Sequence, residues 1–166
     1  GTTMTFDLTQ PIAFELAEAS LERAAEWQAL IHQLMTETDT FLVTSVRDGD
    51  VIPEVSDGPA ITLLLIAEQG TLNLPVGIGS IENGEVGMAI LAQFHGAGLG
   101  QSLLTALLDW AEHVGLDQVW LDVQQDNYPA QHIYQKFGFQ AVDEPVAIVL
   151  PNGRATQLQR MVKDLA

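Results

Sequence analysis

The residues best placed to do chemistry lie in Gln93-Phe94-His95-Gly96-Ala97-Gly98-Leu99-Gly100-Gln101-Ser102. Glycine at 96, 98 and 100 lets the chain turn tightly and lets main-chain N–H groups approach a ligand without an intervening Cβ. An apolar periodic run follows, with Leu99, Leu103, Leu104, Leu107, Leu108 and Ala111 on one face of a predicted helix. The first turn of such a helix has unpaired N–H groups and a positive dipole end, which together suit a phosphate or diphosphate. The same glycines also fit a turn with no ligand, so the loop needs support from elsewhere in the chain. A P-loop would carry Gly-Lys-Ser/Thr, but Gln101 follows Gly100. A dinucleotide fingerprint would be spaced G-x-G-x-x-G, whereas these glycines are spaced G-x-G-x-G.

The elements that must position this loop are legible in outline. A short strand is expected at Ile12–Leu16, then a helix from Ser20 as N-cap, with Leu21, Ala24, Trp27, Leu30, Ile31 and Leu34 at helical spacing. Residues 37–58 read as a long acidic connection around an apolar piece, Phe41–Val46. Its carboxylates are those of a solvated loop or of a wall that attracts an ammonium group. Strands follow at Ile61–Ala67, Leu74–Ile81 and Glu85–Ala92, separated by Gln69-Gly70 and Asn83-Gly84, the latter a strong hairpin signal. After the glycine loop and its helix, Gly115 is a C-cap. Gln118–Val123 is a buried strand and Asn127–Phe137 a second helix. Pro151-Asn152-Gly153 turns the last two strands into a hairpin. The order suits an α/β or α+β sheet with helices on both faces.

Composition narrows the function classes. The chain has 166 residues, 47% hydrophobic and 17% charged, the profile of one globular domain spanning 1–166. Gly1–Thr3 ahead of Met4 read as an added remnant. No run of about 18 apolar residues suggests a membrane span, and the N-terminal 30 residues do not resemble a secretory signal. A cytoplasmic location is expected by elimination. Only 6 Lys plus Arg against 22 Asp plus Glu give a net charge of −16, which repels nucleic acid and anionic membrane surfaces. The absence of cysteine excludes a thiol nucleophile, and His32, His113 and His132 lack metal-ligand spacing, so no metal is expected. Trp27, Trp110 and Trp120 occupy positions expected of core residues.

Downstream, Trp120-Leu121-Asp122-Val123 is followed by Asn127, Ala130, Ile133-Tyr134 and Phe137-Gly138-Phe139. Together with the glycine loop, this ordered set resembles the GNAT superfamily of N-acetyltransferases, most strongly over Gly84–Val142. The resemblance implies a mixed twisted sheet of about six to seven strands with helices on both faces. It also implies acetyl-CoA as donor, a primary amine of a small molecule or peptide as acceptor, and compatibility with a homodimer. The pantetheine arm would pair with main-chain groups of Met88, Ala89 and Ile90, beside a gap between parallel strands. The diphosphate would rest on His95, Gly96, Ala97, Gly98, Leu99, Gly100, Gln101 and Ser102. His95 stands where the family usually has Arg or Gln, and the loop contains no Lys or Arg.

The same resemblance places Tyr134 where members commonly have an acid that protonates the departing thiolate; helical spacing aligns Asn127, Ala130 and Tyr134 on one face. Packing and a hydrogen bond to the cofactor are the alternative role for Tyr134. Asn127 is a cofactor contact or a helix N-cap. Attack by a neutral amine requires removal of a proton, and Glu85, Asp122 or a water chain are the candidate routes. Two other function classes fit the chain: a GNAT-fold protein that holds acyl-CoA without transferring it, and a nucleotide-binding domain.

Overall fold

The computed structural model describes residues 5–40 and 58–166. Seven strands form one mixed sheet in the order β1-β2-β3-β4-β5-β7-β6. They are β1 (Ala13–Glu18), β2 (Ala60–Gln69), β3 (Leu72–Glu82), β4 (Glu85–Ile90), β5 (Gln118–Gln124), β6 (Gln140–Val149) and β7 (Ala155–Asp164). Helix α1 (Ala24–Glu37) lies between β1 and β2, α2 (Leu99–His113) between β4 and β5, and α3 (Tyr128–Lys136) between β5 and β6. The apolar stretch Phe41–Val46 and most of the acidic connection lie outside the described residues. No helix among those described is long and apolar enough to cross a membrane.

Local signals set most boundaries. Asn83 and Gly84 both have positive φ, 53° and 78°, in the two-residue turn closing Glu82 against Glu85. That geometry matches the twist of the strands it joins. Gly115, at φ 82°, follows α2 as its C-terminal glycine. One expected start is corrected. A 3₁₀ turn occupies Leu21–Arg23 and α1 begins only at Ala24, with no side-chain cap from Ser20. The strand expected to reach Ala92 ends at Ile90, because Ala92–Phe94 form a 3₁₀ turn.

Two packed cores lie on opposite faces of the sheet. On one, α2 and α3 bury Leu103, Leu104, Leu107, Tyr134 and Phe139 against Val86, Val119, Leu121, Val123 and Met161. On the other, α1 buries Leu30 and Leu34 against Leu64, Ile66, Val76 and Ile78. Trp27 and Trp110 pack against these cores. Trp120 differs. It lies partly exposed on the α1 face beneath Arg160, whose guanidinium carbon is 4.2 Å from the ring centroid.

Candidate active site

Strands β4 and β5 run parallel but share a single registered pair, Glu85 with Trp120, supported by the Trp120 N–H donating to Gly84 O at 2.9 Å. Beyond that point they part. Backbone parity shows which groups line the opening. Leu91 N–H donates to Val76 O at 2.9 Å, so odd-numbered residues of β4 direct their main-chain groups to β3. Gly84 O, on the opposite parity, is already turned toward β5. The main-chain groups of Met88 and Ile90 therefore face the opening, as does Ala92 N–H just beyond the strand. Those of Ala89 face β3, which corrects the expectation that all three residues offer edge groups.

The glycine loop ends at the head of α2. Gly96 and Gly98 have φ of 87° and 75°, a region costly for residues with a Cβ, and open space lies above both. Gly98 is the N-cap, and its carbonyl accepts Ser102 N–H at 3.2 Å and Ser102 Oγ at 3.3 Å. The amides of Leu99, Gly100 and Gln101 precede that first helical bond, so they form the unpaired first turn. Ser102 N–H is inside the helix ladder. Gly100 needs no special φ, and a Cβ there would meet Ile90 and Met88 at 3.8 and 3.9 Å, ordinary contact. The helix head thus abuts the open strand.

His95 is engaged elsewhere. Its Nε2 donates to Ile90 O at 2.6 Å. The cation at this end of α2 comes instead from α3, where Lys136 Nζ donates to Gln101 Oε1 at 3.2 Å. A motif reading confined to the loop could not find it, because the two residues lie 35 apart in sequence.

Tyr134 is buried in the α2/α3 core, with its ring edge-on to Phe139 at 5.7 Å. Burial raises its hydroxyl pKa to about 12, so it is a proton-bearing donor throughout the neutral range. Asn127 caps α3, its Oδ1 accepting Ala130 N–H at 3.3 Å. The carboxylate candidates lie on the other face. Asp122 is held by Arg160 through Nε and Nη2, at 3.0 and 3.1 Å. Glu85 lies within electrostatic reach of the same guanidinium, whose pKa these carboxylates raise. Asp122 and Arg160 line a recess of about 330 Å³ with Asp143, Glu144, Val146 and Leu158. A more open depression of about 520 Å³ lies past the end of β5, lined by Gln125, Asp126, Tyr128, Gln131, Thr156 and Gln157. None of the site residues picked from sequence lines it.

A second arginine ties the chain's distant segments together. Arg154, after the β6–β7 turn, bonds Asp39 at 2.7 and 2.9 Å, Asp126 at 2.7 Å and the buried Gln124 at 2.6 Å. Asn152 adds a bond to Asp39 at 2.9 Å. Led by the Arg154 hydrogen bonds, these partners lower the Asp39 pKa to about 2. A depressed carboxylate contributes stability above its unfolded pKa of about 3.9, lost as pH falls through the folded value. Arg154→Ala is therefore expected to lose part of the wild-type fall in stability between about pH 4 and pH 2. Acid melts followed by circular dichroism read this directly. A scarcity of cations was the sequence signal: with so few in the chain, each arginine near carboxylates has structural weight.

The comparisons with known proteins agree with this geometry. Residues 29–139 match the acetyltransferase (GNAT) family. The crystal structure of a GNAT-family acetyltransferase from Streptococcus pneumoniae superposes with a TM-score of 0.73 at 26% identity, covering 92% of this chain and all of that one. The structure of yncA from Salmonella typhimurium with its cofactor acetyl-CoA shares the fold, with a TM-score of 0.70 at 17% identity over 93% of this chain and 95% of that one. A [ribosomal protein bS18]-alanine N-acetyltransferase of Haemophilus influenzae is 38% identical over 56 residues, 34% of this chain and 38% of that protein. The curated relatives are thus matched over only 29% to 38% of their own length. A family match over residues 29–139, joined to a seven-stranded sheet whose parallel pair parts beside a glycine-headed helix, establishes that this chain belongs to the GNAT acetyltransferase family.

Proposed function

We propose that the protein transfers an acetyl group from acetyl-CoA to a primary amine by direct attack. The observation that carries this reading is the juxtaposition of a strand edge that no neighbouring strand covers, at Met88 and Ile90, with the unpaired amides at the head of α2. A coenzyme thioester needs both: an extended amide-bearing arm pairs with a strand edge, and a diphosphate sits on a helix N-terminus. The donor would thread the opening with its diphosphate on residues 96–102. Lys136 would add the charge that the loop lacks. A β4 main-chain N–H beside the thioester would stabilise the oxyanion of the tetrahedral intermediate.

On this reading the proton-transfer groups act from the two faces of the sheet. Tyr134 approaches from the α2/α3 side to meet the departing sulfur. Glu85 lies opposite, on the face where the acidic recess favours a cationic acceptor. Both faces meet in the opening between β4 and β5. Glu85 is taken as the base because it stands on β4, the strand proposed to carry the donor, and its side chain reaches one methylene further than that of Asp122. Glu85→Gln is expected to cut turnover about tenfold at neutral pH, with recovery at high pH where the amine arrives uncharged. Asp122→Asn should cost less. A pH–rate profile of both variants decides between them.

Lys136→Ala is expected to weaken coenzyme A binding severalfold at low salt and less at high salt, as an exposed charge contact should. Calorimetric titration at two ionic strengths measures it. The activity itself is tested by an acceptor screen with acetyl-CoA, following thiol release across polyamines, amino acids, amino sugars and peptide N-termini. The Haemophilus relative, named for acetylating an alanine of a ribosomal protein, makes N-terminal peptides the first panel. Coenzyme binding with no thiol release for any amine would favour the non-catalytic reading, to which the loop's lack of its own cation lends support.

A further inference from the structure

Two main-chain groups facing the opening between β4 and β5 are engaged by side chains. At Ile90 the carbonyl accepts His95 Nε2–H at 2.6 Å, and at Ala92 the N–H donates to Glu37 Oε2 at 3.1 Å. Both lie on the parity that β3 leaves unused, since Leu91 between them is the residue bonded to Val76. One acceptor and one donor, two residues apart on one edge, are the pair of groups that an adjoining strand would bond. The two side chains therefore hold the places of an incoming amide chain.

Glu37 is unusual for its position. It is the last residue of α1, where the helix dipole disfavours an anion and where no basic residue offsets it. Its other oxygen accepts Gln33 Nε2 at 3.2 Å. A carboxylate kept at the unfavourable end of a helix, with its tertiary bond made to the donor-strand edge, points to a role beyond the helix. Asp39, two residues on, is anchored separately by Arg154, so Glu37 can leave Ala92 without moving that anchor.

We propose that Glu37 and His95 are intramolecular surrogates for the coenzyme's amide arm, and that donor binding exchanges their bonds to Ala92 N–H and Ile90 O for bonds to the ligand. This rests on the reading that the donor is a coenzyme A thioester lying along β4. It makes Glu37 a residue that sets donor affinity from a helix outside the glycine loop. Each surrogate bond lost on binding offsets part of the bond gained, so removing one should tighten the arm's contribution about three- to tenfold.

The test uses coenzyme A and adenosine 3′-phosphate 5′-diphosphate, which carries the phosphates but no amide arm. Calorimetric affinities of both are measured for wild type, Glu37→Ala, Glu37→Gln and His95→Ala, after thermal melts show each variant folded. Removing a negative charge helps both ligands alike and cancels in the ratio of their affinities; freeing the strand edge helps coenzyme A alone. The expected result is a three- to tenfold rise in that ratio for Glu37→Ala and His95→Ala. Glu37→Gln, whose amide oxygen still accepts from Ala92, should stay near wild type. A ratio that falls or is unchanged in either alanine variant overturns the proposal, because the side chain then supports the edge or is indifferent to the arm. If wild-type protein binds neither ligand, the donor reading itself falls and takes the surrogates with it.

Discussion

Tyr134→Phe is expected to lower turnover about a hundredfold while leaving coenzyme A affinity nearly unchanged. The size follows from the hydroxyl's surroundings. Burial pushes its pKa to about 12. Complete transfer to a thiolate with a pKa near ~8.5 would be uphill by about 5 kcal/mol. In the proposed reaction its main contribution would thus be a hydrogen bond that strengthens as charge builds on the leaving sulfur. Hydrogen bonds to charged groups contribute about 1.5–3 kcal/mol, and a hundredfold in rate is about 2.7 kcal/mol. Because the interaction belongs to the transition state, kcat should fall and KM should hold. A stability measurement checks the same environment independently. A raised pKa gives stability that is complete below pH 10 and lost as pH rises through about 12. Wild type should lose about 2–3 kcal/mol over that interval that the Phe variant does not. Denaturant melts of the pair across pH 9 to 12 measure the difference, and equal slopes would show that the hydroxyl is not in a desolvated site. Unchanged turnover in the variant would remove Tyr134 from the mechanism.

Gly79→Val is expected to destabilise the fold by about 2–3 kcal/mol, an upper-range cost for overpacking a full core. A Cβ at this position of β3 would stand 2.9 Å from Leu107 Cδ1 and 3.0 Å from Leu103 Cγ, both on α2 and both completely buried. Close-packed interiors have no slack to absorb such an insertion, so the helix must lift from the sheet. The consequence reaches the site, because α2 carries the loop glycines at its head. Coenzyme A affinity should therefore fall together with Tm, although Gly79 itself lies in the core rather than in the glycine loop. A variant that melts early yet binds coenzyme A as wild type does would separate helix seating from donor binding.

How far the site could be seen in advance differed residue by residue. Gly96 and Gly98 were legible as turn positions because positive φ needs glycine, while a ligand role for them needed the downstream motif. Tyr134 was legible through the family resemblance with helical spacing in support, and its burial against Phe139 agrees with the Phe137-Gly138-Phe139 sequence that follows it. Asn127 does cap α3 through its Oδ1, a local bond that sequence could name. Trp120 misled, since an aromatic in a buried strand usually packs inward. Here the alternation of β5 turns Leu121 and Val123 to the helices and leaves Trp120 and Asp122 to Arg160.

What the sequence determined by itself was whatever depends on neighbours in the chain: the tight turns, the glycine that ends α2, the periodic apolar faces and the glycine-headed start of α2. These are fixed by φ, ψ and spacing over a few residues. Tertiary structure alone decided which main-chain groups of β4 are open, because that depends on the parity of its pairing with β3 and on where β5 parts from it. It also brought Lys136 to Gln101, Arg154 to Asp39 and Glu37 to Ala92, contacts 35, 115 and 55 residues apart. Long side chains of opposite polarity have many sterically equivalent partners in sequence, and only the fold brings one of them within bonding distance.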